Sequence, residues 1–141
     1  MILYAESSAV LAWLLGESSG ERVRRLLSSA EIVLASDLTL IECDRALIRA
    51  VTTDQISEAH AADRRAYLNR AAAHWNVFRL DAEIVDRARR PFPREPVRTL
   101  DALHMATAVV ARSSVPGVAL LSLDRRIRES GKALGLAVLP E

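Results

Sequence analysis

The chain has a single cysteine, Cys43, among its 141 residues. No disulfide can form within it, and no Cys/His set has the spacing of a zinc site. A reducing cytosol fits that usage. Lysine is equally scarce, Lys132 being the one lysine among 19 basic residues. The arginines in its place favour planar, bidentate contacts with phosphate or carboxylate, although codon usage in a GC-rich genome is the plainer cause. The chain also lacks a dominant charge: at a formal net charge of +1 there is no global field from which tight nonspecific binding to nucleic acid would follow. No apolar run reaches the about 18 residues that a membrane span needs. The opening MILYAESSAVLAWLL carries Glu6 and has no basic leader, so neither membrane insertion nor secretion is expected. No internal repeat or low-complexity tract is present.

What remains is ordinary for a packed globular protein, with 50% apolar and 26% charged residues. The length suits one domain, residues 1–141, burying roughly two-thirds of the surface its unfolded form exposes. Short β-compatible runs at Ile2–Ala5, Ile32–Ala35, Val77–Leu80, Val118–Leu121 and Ala137–Leu139 alternate with helical patterns. After the first run, Ser7 or Ser8 can cap a helix over Ala9–Leu15 that stops near Gly16. Gly20–Ser29 turns Val23, Leu26 and Leu27 inward and Arg22, Arg24 and Arg25 mostly outward. A helix capped by Ser36, Asp37 or Thr39 runs to about Val51 with Leu40, Cys43, Leu47 and Ala50 on one face. Ser57–Trp75 reads as a long helix or helical pair, and Asp81 caps a short helix to about Arg90. PFPREP, Pro91–Pro96, is a loop because proline restricts its neighbours and removes donors. Thr99–Ala111 is a mostly buried helix, and Asp124–Leu134 is the last. The alternation predicts a three-layer α/β/α fold around a mostly parallel sheet of about four or five strands. Ligands in such sheets collect beyond the carboxyl ends of the strands.

Four acids, far apart in sequence, fall at strand ends or on helices that face that region: Glu6, Glu42, Asp101 and Asp124. Clustered carboxylates repel each other and lose hydration, so a fold tolerates them chiefly around a hard divalent cation. Each has a plainer reading. Glu6 and Asp101 lie in first helical turns, where the dipole favours an acid. Asp124 is a plausible helix cap, and Glu42 is a surface acid or a partner of Arg45. His104 shares a helix face with Asp101 and either orients it or makes a core hydrogen bond.

In order along the chain, YAESSAVLAWLL, LTLIECDRAL, RTLDALHMATA and LLSLDRRI resemble the motif blocks of PIN domains, particularly the VapC-like toxin ribonucleases. The resemblance spans essentially the whole chain. It implies a PIN-like fold in which Glu42, Asp101 and Asp124 match acids that hold Mg²⁺ or Mn²⁺, while Ser8 and Ser122 match small hydroxyl residues near them. It further implies endonucleolytic hydrolysis of RNA, a protein antitoxin that blocks the cleft, and a homodimer. Glu6 departs from the pattern, since the family usually has Asp there. The added methylene displaces the carboxylate by about one carbon–carbon bond in a shell that tolerates little error; either the backbone adjusts and the site works, or a metal such as Mn²⁺ is preferred, or the rate is reduced, with a retained metal site expected.

Oxygen-only ligands suit hard cations, and such a site needs no separate histidine base. Arg45, Arg98 and Arg125 adjoin these blocks and are candidate contacts to RNA phosphates, or else solvated helix-face residues. A binding module that keeps the acids without turnover is the alternative reading. A phosphoacceptor signalling domain is disfavoured, because it expects paired acids after the first strand and a lysine after a late one. Ala9, Leu11, Trp13, Leu14, Val23, Leu26 and Leu27 offer either a groove for a partner helix or simply core packing.

Overall fold

The computed structural model describes residues 1–141. The elements are β1 (Ile2–Ala5), α1 (Ser7–Leu14), α2 (Gly20–Ser29), β2 (Ile32–Ser36), α3 (Asp37–Thr52), α4 (Glu58–Ala72), β3 (Asn76–Phe78), α5 (Ala82–Ala88), α6 (Thr99–Ser114), β4 (Val118–Leu121), α7 (Arg125–Ala133) and β5 (Ala137–Leu139). The strands form one five-stranded sheet in the order β3-β2-β1-β4-β5, and every pairing is parallel. The expected three-layer α/β/α architecture is therefore present, with the parallel character complete.

The strands are short apolar runs because both faces of the sheet are covered. On β1, Leu3 packs with Ala9, Val23 and Leu121, and Ala5 packs with Val10, Leu14, Cys43 and Leu68. Tyr4 points the other way, among Leu34, Ile84, Met105, Leu120 and Ile127. The period of two thus divides the core, with α1 to α4 over one face and α5 to α7 over the other. Strand order reverses at β1, which pairs with β2 on one side and β4 on the other. The crevice beyond the carboxyl ends of β1 and β4 is the topological switch point.

Two glycines set the first connection. Gly16, just past the C-cap of α1, has φ +67, a left-handed conformation that glycine adopts without steric cost. At Gly20 a Cβ would lie 2.3 Å from the carbonyl oxygen of Ala12, so α2 starts in backbone contact with α1. Between α5 and α6 the proline-rich segment is a loop, as expected. Glu95 holds it by accepting from the amides of Phe92 at 2.9 Å and Val97 at 2.6 Å, while Phe92 is buried in the core.

The structure departs locally from the sequence pattern. Glu6, not Ser7 or Ser8, caps α1. The third strand is Asn76–Phe78, because its pairing with Leu34–Ser36 ends at Phe78. Of the two readings for the segment from Ser57, the single long helix is the one formed, as α4. Ala9, Leu14 and Val23 are fully engaged in the core. Only Trp13 and Leu27 of the suggested groove line a cavity of about 290 Å³, beside Ala71 and Trp75.

Candidate active site

Glu6 leaves β1 at the switch point and is almost fully buried. Its Oε1 accepts from the Ser8 amide at 3.1 Å and lies 3.2 Å from the Ser7 hydroxyl oxygen, whose single hydrogen takes the shorter bond to Glu42. On Oε2 it accepts from the Ser8 hydroxyl and from Ser122 Oγ at 2.7 Å. These three donors take up most of the roughly four lone-pair positions of a carboxylate. The Ser122 bond spans the crevice between β1 and β4. Ser8 Oγ, 3.2 Å from Ser122 Oγ, accepts from the Leu123 amide at 2.9 Å and the Asp124 amide at 3.0 Å. Glu6 therefore fastens the start of α1 to the end of β4, and the extra methylene gives it the reach to do so while capping the helix.

Glu42 projects from α3 toward the same point. Its Oε1 accepts from Ser7 Oγ at 2.7 Å and lies 2.5 Å from His104 Nε2. Burial is the largest influence on this carboxyl and opposes ionisation. Hydrogen bonds from His104 and Ser7 outweigh it and hold the carboxyl below the usual range. His104 is buried on α6, with Nδ1 3.0 Å from the Tyr4 hydroxyl. Neither ring nitrogen bonds Asp101, and Arg45 is exposed and makes no ion pair with Glu42.

Asp101 lies in the first turn of α6, partly buried. Burial raises its carboxyl above the ordinary range, and the charges of Asp124 and Glu6 add to the shift. His104 and Arg98 offset it only in part, and no hydrogen bond from the protein contributes. Asp124 caps α7 through the Ile127 amide at 3.1 Å. Asp101 also lines a cleft of about 480 Å³ with Arg94, Arg98, Arg126 and Glu129. Arg125 is almost fully exposed, pairs with Glu129 at 3.1 Å, and lines a neighbouring pocket with Asp124 and Arg126.

The fold thus brings Glu6, Glu42 and His104 to within 4.8 Å of one another, puts Ser8 and Ser122 beside Glu6, and couples Asp101 electrostatically to Asp124 and Glu6. Arg98 faces the cleft; Arg45 and Arg125 do not line it. Tyr4, Ser7 and Arg126 complete the arrangement; the sequence marks Ser7 only as a candidate helix cap and singles out neither of the other two. Only the consecutive arginines of SLDRRI hinted at the last. The chemistry of the donors fits a hard divalent cation. Asp101 carries like-charge repulsion with no protein donor to relieve it, and a cation among these oxygens would remove that repulsion. Glu42 has one oxygen committed and one without a partner. Glu6 can join only if a serine gives way.

An α/β/α fold with an acidic, arginine-bordered cleft at the switch point of a parallel sheet is the class these features define. Residues 3–133 match the PIN domain family. Ribonuclease VapC46 of Mycobacterium tuberculosis is 35% identical over 137 residues, 97% of this chain and 95% of that protein. A solved structure of FitAcB from Neisseria gonorrhoeae superposes with a TM-score of 0.70 at 18% identity, covering 99% of this chain and 97% of that one. VapC20 of M. tuberculosis, described as a sarcin-ricin loop cleaving toxin, superposes with a TM-score of 0.63 at 19% identity, over 92% of this chain and 95% of that one. The chain belongs to the PIN-domain family, among its VapC-type members.

Proposed function

We propose that residues 1–141 act as one PIN domain, an endoribonuclease that hydrolyses RNA phosphodiester bonds with Mg²⁺ or Mn²⁺ and serves as the toxin of a toxin–antitoxin pair. The observation that carries this reading is Asp101: a carboxyl raised by burial and by Asp124 and Glu6, without a protein donor, opening onto an arginine-lined cleft. The ribonuclease name of VapC46 and the toxin description of VapC20 support it.

Asp101 and Asp124 supply oxygens to the cation, Glu42 adds its unpartnered oxygen, and Glu6 contributes charge and, where a serine yields, an oxygen. A bound divalent cation supplies Lewis-acid polarisation and neutralises charge that develops on the phosphate. Arg94, Arg98 and Arg126 hold RNA phosphates along the cleft. Arg45 and Arg125 act farther out, on the approach. Ser8 and Ser122 keep Glu6 in register.

A protein antitoxin covers this cleft, in line with the family resemblance. Exposed Ile41 and Ile48, two turns apart on α3, together with Leu100, support a homodimer. No helix is long and apolar enough to cross a membrane, and with Cys43 buried and unpaired this supports a cytoplasmic setting. The test is cleavage of a mixed, structured RNA pool by purified protein with Mg²⁺, Mn²⁺ or EDTA, beside Asp101→Asn prepared identically. Metal-dependent cleavage that is lost in Asp101→Asn is expected. Cleavage that persists in EDTA or in the variant would refute the reading.

A further inference from the structure

The Tyr4–His104 pair joins the site from beneath, and nothing in the proposed chemistry uses it. Both side chains are essentially inaccessible, at 0% and 1% exposure, and their rings meet edge to face at 6.2 Å. Burying an imidazole is favourable only if both nitrogens find partners. Here Nδ1 meets the Tyr4 hydroxyl at 3.0 Å, and Nε2 meets Glu42 Oε1 at 2.5 Å with Ser7 Oγ at 3.1 Å.

The hydrogen positions follow from the partners. A lone pair on Nε2 facing a carboxylate oxygen at 2.5 Å would be repulsive, so Nε2 carries a hydrogen. A neutral ring then has Nδ1 as acceptor, and the Tyr4 phenol is its donor. A phenol holds its hydrogen at neutral pH, and Tyr4 is fully buried. Thr39 and Thr107, beside the phenol, direct their own hydroxyl hydrogens to the carbonyls of Ala5 and Leu103. The Ser7 and His104 bonds converge on the same Glu42 oxygen, and Oε2 has no hydrogen-bond partner.

We propose that Tyr4 and His104 form a buried positioning relay. Tyr4 fixes the ring hydrogen on Nε2, and Nε2–H with Ser7 pins Oε1 of Glu42 so that Oε2 is the oxygen presented to a divalent cation. Glu42 sits on a long flexible stem that is 30% exposed, and without the relay its carboxylate would sample several rotamers. The relay supplies the outer support that carboxylate ligands require in order to hold one orientation. Its cation-directed part rests on the proposed function.

The test uses the full chain and Mn²⁺ alone as probe, with affinity read by electron paramagnetic resonance and folding checked by thermal melts. His104→Leu removes the donor, while the amide nitrogen of His104→Gln can replace Nε2–H. Mn²⁺ binding should weaken about 10–100-fold in His104→Leu, the usual cost of losing such a support, and recover most of its strength in His104→Gln. A folded His104→Leu that binds Mn²⁺ as tightly as wild type would overturn the relay. Nitrogen-15 spectra of the metal-free protein give a second readout, which stands even if the leucine variant fails to fold. The His104 ring should show Nε2–H, displaced by Glu42→Gln; a hydrogen on Nδ1 alone, or an Nε2–H signal indifferent to Glu42→Gln, would overturn it. If wild type binds no Mn²⁺, the proposed cation site falls, and the ring spectra still decide whether Tyr4 and His104 pin Glu42.

Discussion

Glu6→Gln preserves length and shape and removes charge, so it isolates what the carboxylate contributes. Oε1 of Glu6 accepts from the Ser8 amide, and Oε2 accepts from the hydroxyls of Ser8 and Ser122. If the new NH₂ replaces Oε2, it faces Ser8 Oγ, which already accepts from the amides of Leu123 and Asp124. If it replaces Oε1, it faces the Ser8 amide. Either orientation sets a donor against a donor in a buried pocket, a defect of about 1–3 kcal/mol. The surviving bonds lose charge assistance, which accounts for about 1 kcal/mol more, and the α1 dipole loses its anion, about 0.3–1 kcal/mol. Relief of repulsion with Asp101 offsets part of this, leaving a net loss of about 2–4 kcal/mol. At about 2–4 °C per kcal/mol for a domain of this size, the melting temperature in EDTA should fall by roughly 5–15 °C. Because Glu6 is among the causes of the raised Asp101 carboxyl, carbon-13 titration should show Asp101 moving back toward the ordinary range. A melt within about a degree of wild type, with Asp101 unmoved, would refute the account of Glu6.

Three further predictions concern the same elements. Glu6→Asp is too short to hold all its present donors, so lone pairs become free for a cation, and turnover with Mg²⁺ should rise; an unchanged or lower rate would show that the length of Glu6 does not limit the reaction. In Gly20→Ala the added carbon meets the Ala12 carbonyl oxygen at 2.3 Å, and urea unfolding should report a loss of about 1–3 kcal/mol. The carboxyls give opposite pH arms in the metal-free protein. Glu42, held below the usual range, contributes stability that is present above the ordinary glutamate value and lost as pH falls through its folded value. Asp101, held above its range, binds its proton more tightly when folded, so stability declines as pH rises from the ordinary aspartate value through its folded one. Asp101→Asn should abolish that decline and exceed wild type in urea midpoint above this window; a variant that is equally or less stable there would contradict the assignment.

Much of this architecture was legible in the sequence because its signals are local. Apolar runs located the strands, amphipathic patterns and cap residues located the helices, with α4 read from its Ala- and Arg-rich composition and α6 from its apolar length, and proline placed the loop before α6. The N-cap of α1 was misread because Ser7 and Ser8 are preferred capping residues and Glu is not. Only the packing at the switch point lets Glu6 turn back to the Ser8 amide. The two serines look alike in sequence, yet helical rotation sends Ser7 toward Glu42 and His104 and Ser8 toward Ser122. Tyr4 reads as a core strand residue because the nitrogen that meets its hydroxyl lies 100 positions later. Arg125 and Arg126 are likewise neighbours in sequence, but only Arg126 lines the cleft beside Asp101, while Arg125 pairs with Glu129 at its margin.

The central claim is that acids dispersed along the chain fold into one cation-holding cluster, and anomalous scattering from crystals grown with Mn²⁺ tests it most directly. The account predicts one or two anomalous peaks in contact with Asp101 and a Glu42 oxygen, with Asp124 beside them, all absent from crystals of Asp101→Asn. Peaks confined to other carboxylates, or none at saturating Mn²⁺, would contradict it.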